Sequence, residues 1–204
     1  MKTNFTIRQA QQSDAVALKE LFQNTVLVIN RRDYSQAEVE DWASCGNNLS
    51  NIKERIETHY FVVAVNQQSQ IVGFSSITPQ GYLHSMFVHK DFQGEGIATM
   101  LLEEIERYAI TAGITRITSE VSLTARPFFE KKGYAVEKEQ KRKANQLSLT
   151  NFLMARKWRF WSIIIKRLQI KLSTFLCLYI QNRLSLTESM LLHVRPHRTT
   201  RTYA

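Results

Sequence analysis

Cysteine is scarce in this 204-residue chain, which carries only Cys45 and Cys177. Two cysteines so far apart build neither a disulfide framework nor a Cys-x-x-Cys metal site, so a reducing, cytoplasmic setting is expected and no metal ion is. The first residues, Met1-Lys2-Thr3-Asn4-Phe5, lack the apolar stretch of a signal peptide. After Trp158 no uncharged segment of about 20 residues, the length a bilayer asks for, is found. The apolar segments after Trp158 are interrupted by Lys166, Arg167 and Lys171. Acidic residues are short in one region. From Arg159 onward eight Lys/Arg face only Glu188, a net of +7, whereas up to Trp158 nineteen Lys/Arg face seventeen Asp/Glu, a net of +2. The basicity belongs to the tail, so a nucleic-acid partner is not expected for the domain, and the run Lys138 to Lys143 reads as a solvated hairpin. What is present, 44% hydrophobic and 22% charged residues, is ordinary for one globular domain with its own core.

The pattern alternates strands and helices. Phe5 to Arg8 reads as a first strand, and Ser13 as the cap of a helix whose apolar positions Val16, Leu18, Leu21, Phe22, Val26 and Ile29 include helical spacings. Ser35 with Glu38 forms a capping box for a second helix through Trp42. A short polar helix is expected over Ile52 to Glu57. Phe61 to Val65, Ile71 to Ile77 and Tyr82 to Val88 read as antiparallel strands. A long helix to Ala112 is closed by Gly113. Ile114 to Val121, Tyr134 to Gln140 and Gln146 to Met154 complete the strands. The fold class is mixed α/β.

Gln93-Gly94-Glu95-Gly96-Ile97-Ala98 joins the third of those antiparallel strands to the long helix. Two glycines let the backbone approach a ligand, and the free N–H groups of a helix start suit a pyrophosphate. A P-loop is excluded because no lysine and hydroxyl follow Gly96, and the dinucleotide fingerprint is excluded because its third glycine is Thr99.

The remaining pattern, Gln-x-x-Gly-x-Ala after Met86-Phe87-Val88-His89-Lys90-Asp91-Phe92, resembles motif A of the GNAT acetyltransferase superfamily. Ser119 to Tyr134, with Ala125-Arg126-Pro127-Phe128-Phe129-Glu130-Lys131 and a closing Gly133-Tyr134, is similar to motif B of that superfamily. The wording there, with Arg32-Asp33-Tyr34-Ser35 and Trp42-Ala43 before it and Leu149 to Met154 after it, looks most like the YafP-like branch. The resemblance covers about residues 5 to 158.

The resemblance implies the GNAT fold, a sheet splayed between strands four and five with acetyl-CoA in the gap. The pantetheine would pair with the backbone of Met86, Phe87 and Val88. The pyrophosphate would take amides of Gly94, Glu95, Gly96, Ile97 and Ala98, with Gln93 in the same loop. Ser122 stands where many relatives have an asparagine that touches the coenzyme, and a helix-cap role is the alternative. It implies an N-acetyltransferase acting on a primary amine of a small molecule or peptide; a non-catalytic acyl-CoA-binding protein is the alternative. His84 is the first candidate base and Glu120 the second. The family's usual acid, a tyrosine, falls on Phe129, so Tyr134, Tyr82 or water would substitute, or the thiolate leaves unaided. Asp33, Tyr34 and Trp42, with Arg31 and Arg32, are candidates for the acceptor pocket, and a homodimer is an open expectation.

Residues 1–158 are therefore expected to form the domain and residues 159–204 a basic, apolar extension. For the extension an interfacial helix on a membrane surface, a partner-binding helix and an unselected tail stay open.

Overall fold

In the computed structural model, which describes residues 5–158, the chain forms β1 (Thr6–Gln9), α1 (Ala15–Val28), α2 (Gln36–Ser44), α3 (Leu49–Thr58), β2 (Tyr60–Val65), β3 (Ile71–Ile77), β4 (Leu83–Val88), α4 (Ile97–Ala112), β5 (Arg116–Ser122), α5 (Arg126–Lys131), β6 (Ala135–Lys143) and β7 (Ser148–Lys157). The expected extension lies outside the described residues. The strands form two antiparallel sheets, in the orders β1-β2-β3-β4 and β5-β7-β6.

β2 is covered on both faces, which is why Phe61-Val62-Val63-Ala64 is a continuous buried run and not an alternating one. Phe61 and Val63 meet Leu18 and Leu21 of α1 and Ile52 of α3, together with Phe74. The opposite face takes α4, whose buried Ile97, Leu101, Leu102, Ile105 and Ala109 follow the helical period. Tyr60 shows this side directly, stacking on Tyr108 of α4 with ring centroids 4.0 Å apart.

Among the described residues the two sheets are joined at the start of β4. Tyr82 bridges Thr118 in parallel, the Thr118 N–H donates to the Gly81 carbonyl at 3.0 Å, and Ser119 Oγ donates to the Leu83 carbonyl at 2.9 Å. A side chain at Gly81 would place its Cβ 2.5 Å from the Arg116 carbonyl oxygen, so the junction needs glycine. Beyond it β4 and β5 diverge, and the gap between them is the site.

The Ser35–Glu38 capping box forms, with the Ser35 N–H donating to Glu38 Oε2 at 2.9 Å. Gly113 ends α4 in the left-handed region. Ser13 does not cap α1. It is exposed, and the turn is held instead by Asp14, which accepts from the Gln11 N–H at 2.8 Å and pairs with Arg8. α3 begins three residues earlier than its apolar pattern suggests, because Asn48 Oδ1 accepts the Ser50 N–H at 3.0 Å and the Asn51 N–H at 3.4 Å.

Candidate active site

At the end of β4, Gln93 Nε2 donates to the carbonyls of Val88 at 2.7 Å and His89 at 3.1 Å, folding the loop back onto the strand. Gly94 and Gly96 sit at φ +80° and +83°, a region costing other residues about 1–2 kcal/mol. A Cβ at either position would meet no atom within 4 Å. The conformation, not crowding by the protein, requires glycine there, and the space in front of the loop is open. Met100 is the first residue whose N–H bonds back into the helix, to Gly96 at 3.1 Å. The amides of Ile97, Ala98 and Thr99 thus belong to a first turn without intrahelical acceptors, at the positive end of a 16-residue helix. Gly94, Gly96, Ile97, Ala98 and Thr99 all line a cleft of about 860 Å³, a size suited to a cofactor. Glu95 lies between the two glycines.

The cleft runs between β4 and β5. In the β3–β4 ladder the bond from the His89 N–H to the Val72 carbonyl, 2.8 Å, sets the phase. Alternation then turns the backbone of Phe87 toward Phe74 and that of Met86 and Val88 toward the cleft. The Val88 carbonyl is already used by Thr25 Oγ1 at 3.0 Å and by Gln93. What β4 offers a ligand is therefore the Met86 N–H and carbonyl and the Val88 N–H. Phe87 contributes its ring, edge-on to Phe22 with centroids 5.0 Å apart.

On the other wall Ser122 Oγ accepts the Ala125 N–H at 3.2 Å, holding the turn before α5 without capping that helix, while still lining the cleft. Asn151 stands opposite Ser122 in the β5–β7 pair. Its Oδ1 and Thr124 Oγ1 are buried without hydrogen-bond partners among the described residues, and both residues line the cleft. Buried polar atoms are normally satisfied, so these two mark where a polar ligand belongs. Phe129, at the position where the resemblance expects an acid, is 3% exposed and also lines the cleft.

The acceptor candidates separate. Tyr34 and Trp42 line the cleft, rings 5.7 Å apart, but the Tyr34 hydroxyl is committed. It donates to the Thr150 carbonyl at 2.7 Å and accepts the Leu123 N–H at 2.9 Å, a clamp whose burial pushes the phenol pKa up. Asp33 is exposed, pairs with Arg32 at 3.2 Å and lies off the cleft lining, as do Arg31 and Arg32. Asp41 shapes the same wall by accepting the N–H groups of Asn145, Gln146 and Leu147, so α2 holds the β6–β7 turn.

At the closed end of the cleft stand Tyr82 and His84, rings 5.9 Å apart. His84 Nδ1 is buried with no partner among the described residues. Burial, then the charges of Arg55 and His59, push its pKa down to about 4, so at neutral pH the imidazole is uncharged and able to accept a proton. The same shift makes it a weaker base than an imidazole in water. Glu120 lines the cleft in a 2.6 Å ion pair with Arg142. Arg142 stays exposed on β6, as the solvated-hairpin reading of Lys138 to Lys143 expects, while it also lines the cleft. Tyr134 is placed elsewhere: it is 2% exposed, its hydroxyl donates to Glu106 of α4 at 3.3 Å, and burial followed by the Glu106 charge drives its pKa up. It does not line the cleft and is not positioned as an acid.

Arg55, Thr124 and Asn151 are cleft residues that sequence reasoning passed over. For Arg55 a signal existed, because it lies three residues after the buried Ile52 and thus on the inward face of α3.

Residues 30–155 match the family model of the acetyltransferase (GNAT) domain. The chain is 29% identical over 152 residues to the uncharacterized N-acetyltransferase YafP of Escherichia coli (strain K12), covering 74% of this chain and 95% of that protein. A GCN5-related N-acetyltransferase of Rhodopseudomonas palustris superposes with a TM-score of 0.74 at 25% identity, over 78% of this chain and 98% of that one. The PaiA N-acetyltransferase of Thermoplasma acidophilum, solved in complex with coenzyme A, gives a TM-score of 0.63 at 18% identity, over 76% and 99%.

Proposed function

This chain belongs to the GNAT acetyltransferase family and is an N-acetyltransferase, and on that premise we propose that it moves the acetyl group of acetyl-CoA to a primary amine of a small molecule or peptide. The observation that carries the coenzyme half is the pair of left-handed glycines facing open space before an uncapped helix start. The pyrophosphate takes the amides from Gly94 to Thr99, each contact favoured by about 0.3–1 kcal/mol from the helix dipole. The pantetheine pairs with Met86 and Val88. Ser122, Thr124 and Asn151 supply side-chain polar groups on the opposite wall.

The amine must lose its proton before it attacks. A lysine-like ammonium has a pKa of about 10.4, so neutralising it near pH 7 costs about 4–5 kcal/mol. His84 is the base in this reading, since it is neutral, in the cleft and has an unpartnered Nδ1. Glu120 is already engaged with Arg142, which leaves His84 as the base. Expelling the thiolate costs only about 2 kcal/mol, from a thiol pKa of about 8.5. That makes Phe129 tolerable where an acid is usual, with Tyr82 as the phenol left facing the cleft.

The test is thiol release from acetyl-CoA by the full-length protein across a panel of primary amines and matched alcohols, with products identified by mass. We expect N-acetyl products formed one for one with free coenzyme A. Acetylation of the alcohols alone, or of nothing in the panel, contradicts the reading.

A further inference from the structure

Arg55 is the half-buried arginine that faces the cleft without an acceptor. Arg8, Arg107, Arg116, Arg126, Arg142 and Arg156 each pair with a carboxylate. Arg31 and Arg32 are exposed. The Arg55 guanidinium has no hydrogen bond or ion pair among the described residues, yet the residue lines the cleft and is desolvated enough to lower its own pKa. Taking a guanidinium partly out of water without a partner is costly. A fold that retains one at the edge of a ligand cleft has left a place for an anion.

That anion does not belong to the pyrophosphate of the coenzyme. The charge of Arg55 acts on His84 and Tyr82, and His84 precedes Val88 by four residues, about 13 Å along a strand at about 3.3 Å each. The phosphate loop begins beyond Val88. The anion is therefore at the acceptor end. Its charge is small, because Arg142 is neutralised by Glu120 and one guanidinium balances one negative charge. A planar carboxylate matches the guanidinium fork.

We propose that the acceptor is an amine that also carries a carboxylate, of the amino-acid class, with the carboxylate on Arg55 and the amine between His84 and Glu120. The inference rests on the reading of this cleft as the site of amine acetylation. A zwitterion is complementary to the arrangement, since Arg55 takes the carboxylate and the uncharged His84 can take the ammonium proton, while Glu120 and Arg142 balance each other. Polyamines and polycationic sugars are disfavoured by the same cation. The carboxylate also offsets the Arg55 charge, which after burial lowers the His84 pKa, so binding the correct acceptor strengthens the base that must act on it.

The experiment uses full-length protein saturated with acetyl-CoA and matched acceptor sets: an amino acid, its carboxamide and the decarboxylated amine of the same side chain, over several aliphatic and aromatic side chains. In the wild type kcat/KM for the acid exceeds that for the carboxamide by about 10- to 100-fold, the worth of one charge-assisted pair. Arg55→Gln brings that ratio toward one and Arg55→Lys keeps part of it, with calorimetric acetyl-CoA binding confirming that both variants are folded. Equal use of acid and carboxamide by the wild type, or an equal loss for both in Arg55→Gln, overturns the proposal while leaving amine acetylation standing. So does preference for an aminoalkyl phosphonate over the carboxylate. Failure to acetylate any amine overturns the underlying reading, and this inference falls with it.

Discussion

Where β4 runs into α4 the cleft presents main chain: the amides after Gly94 and Gly96, and the outward groups of Met86 and Val88. At the junction of the sheets it presents side chains instead: Arg55, Tyr82, His84, and Glu120 paired with Arg142. The two ends respond differently to change. A main-chain site depends on conformation, so most substitutions leave it intact and only the loss of a left-handed glycine breaks it. A side-chain site can be rebuilt residue by residue on an unchanged scaffold. The first end suits a ligand shared by a family, and the second suits a ligand that differs from member to member.

The largest effect expected from breaking this contrast comes from the glycines. Gly94→Val with Gly96→Val abolishes acetyl-CoA binding in a calorimetric titration, while the circular dichroism spectrum stays native. A Cβ at these positions meets no protein atom, so the protein loses only about 1–2 kcal/mol of conformational energy per site, and the ligand loses its approach. Unchanged affinity in the folded double variant removes the main-chain half of the account.

A smaller effect sharpens the side-chain half. Phe129→Tyr restores a phenol to the wall of the cleft, and since thiolate departure needs only about 2 kcal/mol of help, kcat rises by less than about thirtyfold. A larger gain shows that leaving-group protonation limits the natural protein. In that case base strength at His84 is not the controlling feature of this end.

The same contrast explains what was legible in the sequence. The coenzyme end is encoded locally: two glycines, a strand before them and a helix after them occupy consecutive positions, and the observed φ angles match what those residues invite. The Ser35–Glu38 box and the Gly113 stop are local for the same reason. The acceptor end is assembled from α2, α3, β4, β5 and β6, so its membership depends on packing. Tyr134 illustrates the failure. It adjoins the motif that supplies Phe129, yet the turn at Gly133 sends its hydroxyl to Glu106 on α4. Asp33 fails differently, as a neighbour of the buried Tyr34 that itself points to solvent. His84 was legible from its place in the strand, but not its low pKa, which arises first from burial and then from Arg55 of α3 and His59 just after it.

The claim that the two ends bind and react separately is tested most directly by His84→Gln, measured in parallel for acetyl-CoA affinity and for amine-dependent thiol release. The account predicts an unchanged calorimetric Kd and a kcat lower by about 100-fold at neutral pH. Because protonation disables the base and its pKa is held at about 4, wild-type kcat/KM stays level as pH falls from 7, declining only toward pH 4, and the variant loses that decline. Wild-type turnover in His84→Gln, or affinity and turnover falling by the same factor, contradicts it.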